Sequence, residues 1–365
     1  MSFEAHYSFL DRLLHRIAFA TPKLQIDFAE AEDEKFFRPA MAAVVSRPVF
    51  ITAMPRSGTT LLLNITAATG VFAHHTYRDM PFLFTPIAWR RFSQGFQRKD
   101  TPHERAHGDG MMVGLDSPEA FEEMLWKAFW PQQYAKDRIL PWPLEGGAEF
   151  LGFFKRHMVK LGATASADKP TRRYASKNNF NIARIGWLRR AFPDAVIIVP
   201  FREPVEHAAS LLRQHLSFLE LHSHDAFARD YMAGIGHFDF GASLKPIDFD
   251  GWIDGSTANP KELAFWLAYW RAAYGHCLRQ HAGDAVLFDY DQFCAEPTRG
   301  LQEFAAAVGE PSILQAASGL NSVGAPRRHA PDLSGIDPKI VEECRTLHEA
   351  LRAAAHSPLR QRSAP

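Results

Sequence analysis

The chain has 365 residues, of which 46% are hydrophobic and 22% are charged. This length and apolar content allow a sizeable buried core, in one large α/β domain or two smaller ones. The 41 basic and 41 acidic side chains cancel, which argues against a protein that coats nucleic acid and against a polybasic membrane anchor.

The cysteines and the apolar segments bear on location. Cys277, Cys294 and Cys344 are odd in number and lack metal-type spacing, so they predict neither a disulfide framework nor a cysteine-based zinc site. The N-terminal residues mix acidic with apolar side chains, unlike a signal peptide. We find no apolar stretch of the length that a transmembrane helix needs. These features predict a cytoplasmic protein.

The predicted elements begin with a helical extension at 1–47. The acidic run at 30–34 within it predicts a solvated helix face. The apolar run 49–54 then predicts a strand, 55–58 a tight turn, and 59–69 a helix. This succession is the opening of a βαβ unit.

The stretch 80–160 is rich in aromatic residues, proline and glycine. It predicts an irregular insertion within a single domain. Within it, Asp116 in the cap position, Pro118 in the first turn and Glu119 at the third position are typical of a helix start. We expect this helix to run through Phe129.

The α/β pattern then resumes and continues to about residue 310. Further strands are predicted at 174–177, 196–201 and 285–290, and further helices at 181–192, 203–219 and after the capping sequence 259–262. Strands that alternate with helices imply a parallel sheet covered on both faces. The chain therefore predicts one α/β domain over 1–365, a three-layer sandwich with a central parallel sheet of about five strands.

The segment 53–60 lies where the first strand leads into a helix, in the register of the phosphate loop G-x-x-x-x-G-K-[ST]. Thr59 stands at the lysine position, so Arg56 supplies the cation. The backbone N–H groups of the turn and the helix N-terminus still favour an anion. The buried strand 196–201 is followed by Arg202 rather than by a carboxylate that would hold magnesium. These features predict an anion site without a metal.

Two motifs together resemble the sulfotransferases that use 3′-phosphoadenosine 5′-phosphosulfate (PAPS). The sequence Pro55-Arg56-Ser57-Gly58-Thr59-Thr60 is similar to the loop that binds the 5′-phosphosulfate in that family, and Arg202 followed by Ser210 is similar to its 3′-phosphate pair. The resemblance covers roughly residues 48–310. It implies a P-loop-NTPase-like fold and metal-free, in-line transfer of a sulfonyl group from PAPS to a hydroxyl or amine acceptor.

The resemblance also assigns roles to individual residues. Arg56, Ser57, Gly58, Thr59 and Thr60 would bind the 5′-phosphosulfate. Arg202 and Ser210 would bind the 3′-phosphate, and Tyr290 is similar to a family tyrosine that lies against the adenine. Lys177 resembles a lysine directed at the transferring group, where it and Arg56 would stabilise charge on the leaving oxygen.

The acceptor must lose a proton, and this requires a base within hydrogen-bond reach. Members of the family carry the base just after the second strand, where this chain has residues 74–81. We predict His75 as the base, with Asp79 either orienting it or acting as the base itself.

The motif H-E-x-x-H at 103–107 matches that of zinc hydrolases. Proline and glycine flank it and leave too short a helix, so we expect no metal site there. We expect the insertion at 80–160 to lie on the acceptor side, and its predicted acceptor-binding residues are His107, Asp109, Glu119 and Glu123. Carbohydrate, lipid-linked glycan and phenol acceptors all fit the sequence.

Two other classes of protein also fit the sequence. A P-loop kinase or phosphotransferase would use the loop at 53–60 with magnesium and would lose activity in EDTA. A non-catalytic module would keep the nucleotide-binding residues and turn nothing over. The oligomeric state is left open.

Overall fold

The structure is a computed structural model that describes residues 3–36, 45–93, 103–104, 112–165, 173–255, 258–317 and 331–356. The strands in these ranges are β1 (Val49–Ile51), β2 (Phe72–Ala73), β3 (His103–Glu104), β4 (Met112–Val113), β5 (Arg173–Lys177), β6 (Val196–Phe201) and β7 (Val286–Asp289). The α-helices are α1 (Phe9–Ala20), α2 (Pro22–Phe36), α3 (Thr59–Ala68), α4 (Pro86–Ser93), α5 (Glu123–Phe129), α6 (Ala148–Ala165), α7 (Ile185–Ala191), α8 (Pro204–His224), α9 (Ala226–Gly234), α10 (Leu263–His281), α11 (Tyr290–Ala295), α12 (Pro297–Val308), α13 (Ile313–Ala317) and α14 (Pro338–Ala355). Across the described ranges, every helix is too short or too polar to traverse a lipid bilayer.

Five of the strands form one parallel sheet in the order β2-β5-β1-β6-β7. In its centre, Ile51 of β1 lies opposite Lys177 of β5 and Ile198 of β6. Towards the edge, Phe201 of β6 lies opposite Asp289 of β7. The predicted central parallel sheet is therefore confirmed, with β3 and β4 paired antiparallel outside it.

The sheet separates two apolar layers because successive side chains of a strand point to opposite faces. Phe50 of β1 and Ile197 of β6 belong to the larger core cluster. Their neighbours Val49, Ile51 and Ile198 belong to the smaller one. Both strands are buried along their whole length, as expected for strands covered on both faces.

Helices cover both faces of this sheet. Phe154 of α6, Leu211 of α8 and Trp266 of α10 contribute to the larger cluster. Leu62 of α3 and Phe304 of α12 contribute to the smaller one. The architecture is thus the predicted α/β sandwich of three layers, and the stretch 80–160 supplies α4, α5 and most of α6.

The predicted helix start at Asp116 is wrong, because α5 begins at Glu123. Asp116 accepts hydrogen bonds from Arg78 Nε at 2.7 Å and Nη2 at 2.8 Å rather than capping a helix. Next to it, Pro118 pairs with Thr76 in an antiparallel bridge. Pairing with a distant segment has overridden the local helix signal.

The solvated face predicted at 30–34 is correct only in part, because Glu30 and Glu34 are exposed whereas Glu32 and Asp33 are not. Glu32 is 4% exposed, and its Oε2 lies 2.9 Å from Lys160 Nζ of α6. Asp33 Oδ1 lies 2.7 Å from the same ammonium group, and Glu32 Oε1 accepts a hydrogen bond from Ala88 N of α4. The predicted helical extension is thereby joined to the body of the protein.

Candidate active site

The carboxyl ends of four adjacent strands bring predicted site residues to one edge of the sheet. β5 ends at Lys177, β1 leads into the loop 52–58, β6 is followed by Arg202, and β7 is followed by Tyr290. From β1 the chain continues to β2 on one side, and from β6 it continues to β7 on the other. The connections that follow β1 and β6 therefore run in opposite directions along the sheet. The crevice between these two strands is a topological switch point, where open α/β sheets bind ligands.

The loop 52–58 is held by side chains of the protein. Ser57 Oγ donates a hydrogen bond to the carbonyl oxygen of residue 54 at 2.8 Å. His207 Nε2 donates to the carbonyl oxygen of residue 55 at 2.7 Å, and Arg202 Nη1 donates to that of residue 56 at 3.0 Å. Arg56 adopts a φ of 67° and Gly58 a φ of 90°. These bonds engage the carbonyl groups, so the turn has a defined shape at the N-terminus of α3.

Gly58 lies directly against the ring of Tyr290. A Cβ atom at this position would lie 2.0 Å from Tyr290 Cε2, so the ring or the loop would have to shift. Its positive φ also favours glycine. The sequence therefore needs glycine here for two reasons, and the ring of Tyr290 packs on the loop.

The hydroxyl group of Ser57 is engaged within the loop. Ser57 is 0% exposed and its hydroxyl donates to the carbonyl of Met54. What this residue offers to an anion is therefore its backbone N–H. Thr59 is also buried, whereas Thr60 is partly exposed in the first turn of α3.

Arg202 joins the loop to the start of α8. Its Nε lies 3.5 Å from Asp291 Oδ1, and the other oxygen of Asp291 accepts a hydrogen bond from Glu203 N at 2.6 Å. Ser210 lies in the second turn of α8 and is partly buried. Both predicted 3′-phosphate residues therefore belong to the N-terminal end of one helix.

A cleft of about 620 Å³ adjoins Arg202. Its lining combines three arginines, Arg202, Arg345 and Arg352, with five acidic residues. The acidic residues are Glu203, Glu206, Asp289, Asp291 and Glu296. Two of these arginines belong to α14. Arg202 is thus accessible from the side of α14, although only 7% of its surface is exposed.

His207 was not singled out from the sequence, yet it supports the loop. It is fully buried in α8 and donates from Nε2 to the carbonyl of Pro55. Burial, and then the charge of Arg202, lower the pKa of His207 to about 3. The ring is therefore neutral near pH 7 and acts as a fixed hydrogen-bond donor.

His75 is buried in the core. It is 2% exposed, and its Nε2 lies 2.8 Å from Nε2 of His157 in α6. Burial lowers the pKa of His75 to about 4. The ring is thus engaged with another side chain of the core, which argues against the predicted role as base.

Asp79 is engaged in the same way. It is 0% exposed, and its Oδ2 accepts hydrogen bonds from the backbone and the hydroxyl of Thr76. Its Oδ1 accepts from Arg90 Nε at 2.7 Å. Both oxygens stabilise the turn after β2, so the predicted role as base or as orienting partner of His75 does not fit the geometry.

Glu123 is a buried member of an ion pair rather than an acceptor-binding residue. Arg184 donates to both of its oxygens at 2.7 Å, and Asn178 Nδ2 donates to Oε2 at 2.7 Å. The guanidinium of Arg184 lies over the ring of Trp142 at 3.8 Å. This network fixes the chain that follows β5, so Glu123 supports the edge of the sheet from within.

Glu119 has a different position. It is partly exposed, and its Oε2 accepts a hydrogen bond from Tyr77 OH at 2.8 Å. The charges of Glu119 and Lys177 both act on the pKa of His237, a residue that the sequence did not suggest. Glu119, Lys177 and His237 thus belong to one neighbourhood near the end of β5.

The other predicted acceptor residues, His107 and Asp109, lie outside the described residues. The H-E-x-x-H match begins in β3, a strand, rather than on the helix that zinc hydrolases use. In the ranges the structure describes, no group of three or more His, Cys, Asp or Glu side chains is arranged to hold a metal ion.

The fold, with its five-stranded parallel sheet, is of the P-loop-like α/β class. The family model described as the sulfotransferase family matches residues 48–313. Since this range covers most of the chain, the protein belongs to the sulfotransferase family. The resemblance drawn from the two motifs is thereby confirmed at the level of the family.

A solved structure agrees with this fold. The sulfotransferase STF9 from Mycobacterium avium is 15% identical, with a TM-score of 0.51 over 89% of this chain and 81% of that chain. The sulfotransferase STF1 from Mycobacterium tuberculosis H37Rv is 14% identical, with a TM-score of 0.44 over 87% and 80%. A search of curated proteins finds no match to this chain.

Proposed function

We propose that this protein transfers a sulfonyl group from PAPS to a hydroxyl or amine acceptor. One contact carries the proposal. Arg202 Nη1 donates to the carbonyl of Arg56 at 3.0 Å, although the two residues are 146 positions apart in the chain. The residues proposed to bind the 3′-phosphate and the 5′-phosphosulfate are therefore in contact. This supports the proposal, because both groups are carried by one ribose and need neighbouring binding sites.

The 5′-phosphosulfate would lie at the loop and the N-terminus of α3. Backbone N–H groups at a helix N-terminus bind anions, and the helix dipole adds to this attraction. Because the carbonyl groups of 54–56 are engaged with side chains, the N–H groups of the following residues are the polar groups of this loop best suited to a ligand. Arg56 and Thr60 would add a cation and a hydroxyl.

The 3′-phosphate would lie at Arg202 and Ser210. A guanidinium binds phosphate through paired hydrogen bonds, and an adjacent hydroxyl adds a third. Tyr290, packed on Gly58, would lie against the adenine.

The reaction would be a direct in-line displacement. The acceptor oxygen forms a bond to sulfur while the bond from sulfur to the 5′-phosphate oxygen breaks, and the electron pair stays on that oxygen. Arg56 and Lys177 would stabilise the negative charge that develops there. Since these two side chains carry the countercharge, a divalent cation is not part of the proposal.

The acceptor would approach from the side of Glu119, near Lys177. Of the four acceptor residues suggested by the sequence, Glu119 keeps this proposed role, and Glu123 loses it because it is buried against Arg184. The three cysteines are free buried thiols, which suits the reducing cytoplasm that we propose as the compartment.

The test is transfer of label from PAPS carrying ³⁵S in its sulfonyl group to a mixture of phenols, primary alcohols and amines. We expect label in the acceptor fraction, with and without EDTA, and a loss of about 100-fold in R56A. The matched control R299A removes an exposed arginine of α12 and should keep the wild-type rate.

Two outcomes would contradict this function. Transfer of ³²P from γ-labelled ATP that stops in EDTA, with no use of PAPS, would indicate a kinase. Binding of 3′-phosphoadenosine 5′-phosphate (PAP) without transfer to any acceptor would indicate a nucleotide-binding module.

A further inference from the structure

A histidine and an aspartate lie side by side in the segment that follows α9. His237 Nε2 is 3.7 Å from Asp239 Oδ2, and the two side chains are 14% and 8% exposed. Unlike His75, which is enclosed in the core, this pair lies in the partly exposed neighbourhood of Lys177 and Glu119.

The imidazole of His237 is held on one side by aromatic rings of neighbouring elements. It stacks on Phe218 of α8 at 5.2 Å with 19° between the ring planes. The ring of Phe240 lies 6.1 Å away. The backbone N–H of His237 donates to Met232 O at 2.8 Å, where α9 ends. These contacts leave the ring one defined orientation.

Asp239 connects the pair to the edge of the sheet. Its Oδ2 accepts a hydrogen bond from Asn179 Nδ2 at 3.1 Å, and Asn179 follows Lys177 by two residues at the carboxyl end of β5. The carbonyl of Asn179 in turn accepts from Thr52 Oγ1 at the start of the phosphate loop, at 3.1 Å. The pair is thus tied to the segments proposed to bind the sulfonyl donor.

Several charged groups face His237. Burial lowers its pKa most, Asp239 and Glu119 raise it, and Lys177 lowers it further. The charge of His237 in turn lowers the pKa of His222 in α8. The overall pKa is below the ordinary value of 6.5, so the ring is neutral near pH 7 and can accept a proton.

We propose that His237 is the general base of the transfer, with Asp239 as the positioning residue beside it. The imidazole of His237 takes the proton of the acceptor hydroxyl as that oxygen bonds to sulfur, and the electron pair of the breaking sulfur–oxygen bond stays on PAP. The carboxylate of Asp239 stabilises the imidazolium that forms. This inference rests on the proposed function.

The alternatives nearby are less suited to the step. Both oxygens of Asp79 are bonded within the core, and His75 is paired with His157. Glu119 accepts the hydrogen bond of Tyr77, which stabilises its charged form and makes it a weaker base. An oriented neutral imidazole is the stronger acceptor near pH 7.

The test compares wild type, H237Q, D239N and H222Q by the ³⁵S transfer assay across about pH 5–8, with PAP affinity measured by calorimetry. We expect H237Q to lose at least about 100-fold in rate and to lose the acid limb of its pH profile. Its PAP affinity should stay within about threefold of wild type, since donor binding is separate. H222Q is the matched control, because His222 also contacts Phe218 and should keep transfer within about threefold.

D239N tests the positioning role of Asp239, and it also tests the proposal if H237Q does not fold. Because Asp239 raises the pKa of His237, its neutralisation should move the acid limb to lower pH and slow transfer by about tenfold. A purely structural aspartate would leave the limb where it is.

Two results overturn the inference. The assignment of His237 as the base is wrong if H237Q transfers at the wild-type rate, or if H222Q loses as much rate as H237Q. The proposal that the protein uses PAPS would still stand in either case. Wild type that binds no PAP overturns the proposed function itself, and the two failures are thereby distinguished.

Discussion

Asp79 offers a prediction at the scale of single residues. Its buried carboxylate accepts from Arg90 and from Thr76, and removing one partner of a buried ion pair costs about 3–5 kcal/mol. We expect D79A to lower the free energy of unfolding by about 3 kcal/mol in urea titrations, with PAP affinity unchanged. A variant with wild-type stability and no transfer would instead identify Asp79 as a reacting group.

Burial explains which site residues could be predicted from the sequence. Arg56 and Arg202 follow buried strands, and their positions next to a turn and a helix start already indicate an anion site. The sequence also offers His75 and Glu123 as site residues, but the partners that engage them are distant in the chain. Arg184, for example, is 61 residues from Glu123, and no local pattern indicates that pairing.

His237 and Asp239 show the opposite case. Their only sequence signal is a spacing of two residues, in a segment without a motif. Their relation to the site depends on Asn179, which is 60 residues away, and on the sheet that positions it. Only the tertiary structure brings this pair into the neighbourhood of Lys177.

The loop after β1 gives a prediction at the scale of the element. G58A places a Cβ atom 2.0 Å from Tyr290 Cε2 and a side chain at a φ of 90°. We expect a loss of about 100-fold in PAP affinity by calorimetry, because the loop must change shape. Y290A, which lacks the ring proposed to lie against the adenine, is the reference for the double variant G58A/Y290A. Adding G58A should cost less affinity in Y290A than in wild type, since only the backbone strain remains there.

The matched control for this loop is G70A, just after the end of α3. Gly70 also has a positive φ, of 67°, but nothing lies within 4 Å of the position that a Cβ atom would occupy there. It should lower stability by about 1 kcal/mol and leave PAP affinity unchanged. Equal losses of affinity in G58A and G70A would mean that contact with Tyr290 does not shape the site.

Elements with strong local signals could be predicted from the sequence. β6 is a continuous apolar run, and α8 begins with Glu203 as cap, whose side chain accepts from Glu206 N at 2.7 Å. β2 has two residues and is too short to give a pattern. The helix expected from Asp116 does not form because that aspartate pairs with Arg78.

At the scale of the whole molecule, buried histidines predict a loss of stability in acid. The pKa is lowered from 6.5 to about 4 for His75 and to about 3 for His207, because both rings are buried. Below pH 6.5 the unfolded chain binds protons that the folded protein excludes, so stability falls as the pH drops towards these values. Above pH 6.5 both forms are neutral and this effect vanishes.

The expected size follows from linkage. At pH 5, about 1.5 units below the ordinary histidine value, each of the two residues lowers the free energy of unfolding by about 2 kcal/mol. Urea titrations at about pH 7.5 and pH 5 measure the difference. An unfolding free energy that stays constant over this range would contradict the burial of His75 and His207.

The overall fold was the part best predicted from the sequence, since alternation of strands and helices limits the topologies. The sheet order could not be read in the same way. It puts β5, late in the chain, between β1 and β2, and this order sets Lys177 beside the loop and Arg202.

The central claim is that Arg202 recognises the 3′-phosphate of PAPS. Calorimetry with PAP and with AMP, which differ only in that phosphate, tests it directly in wild type and R202A. We predict that wild type binds PAP about 100-fold more tightly than AMP, and that R202A binds the two about equally. Equal affinities in wild type, or an undiminished preference for PAP in R202A, would contradict the account.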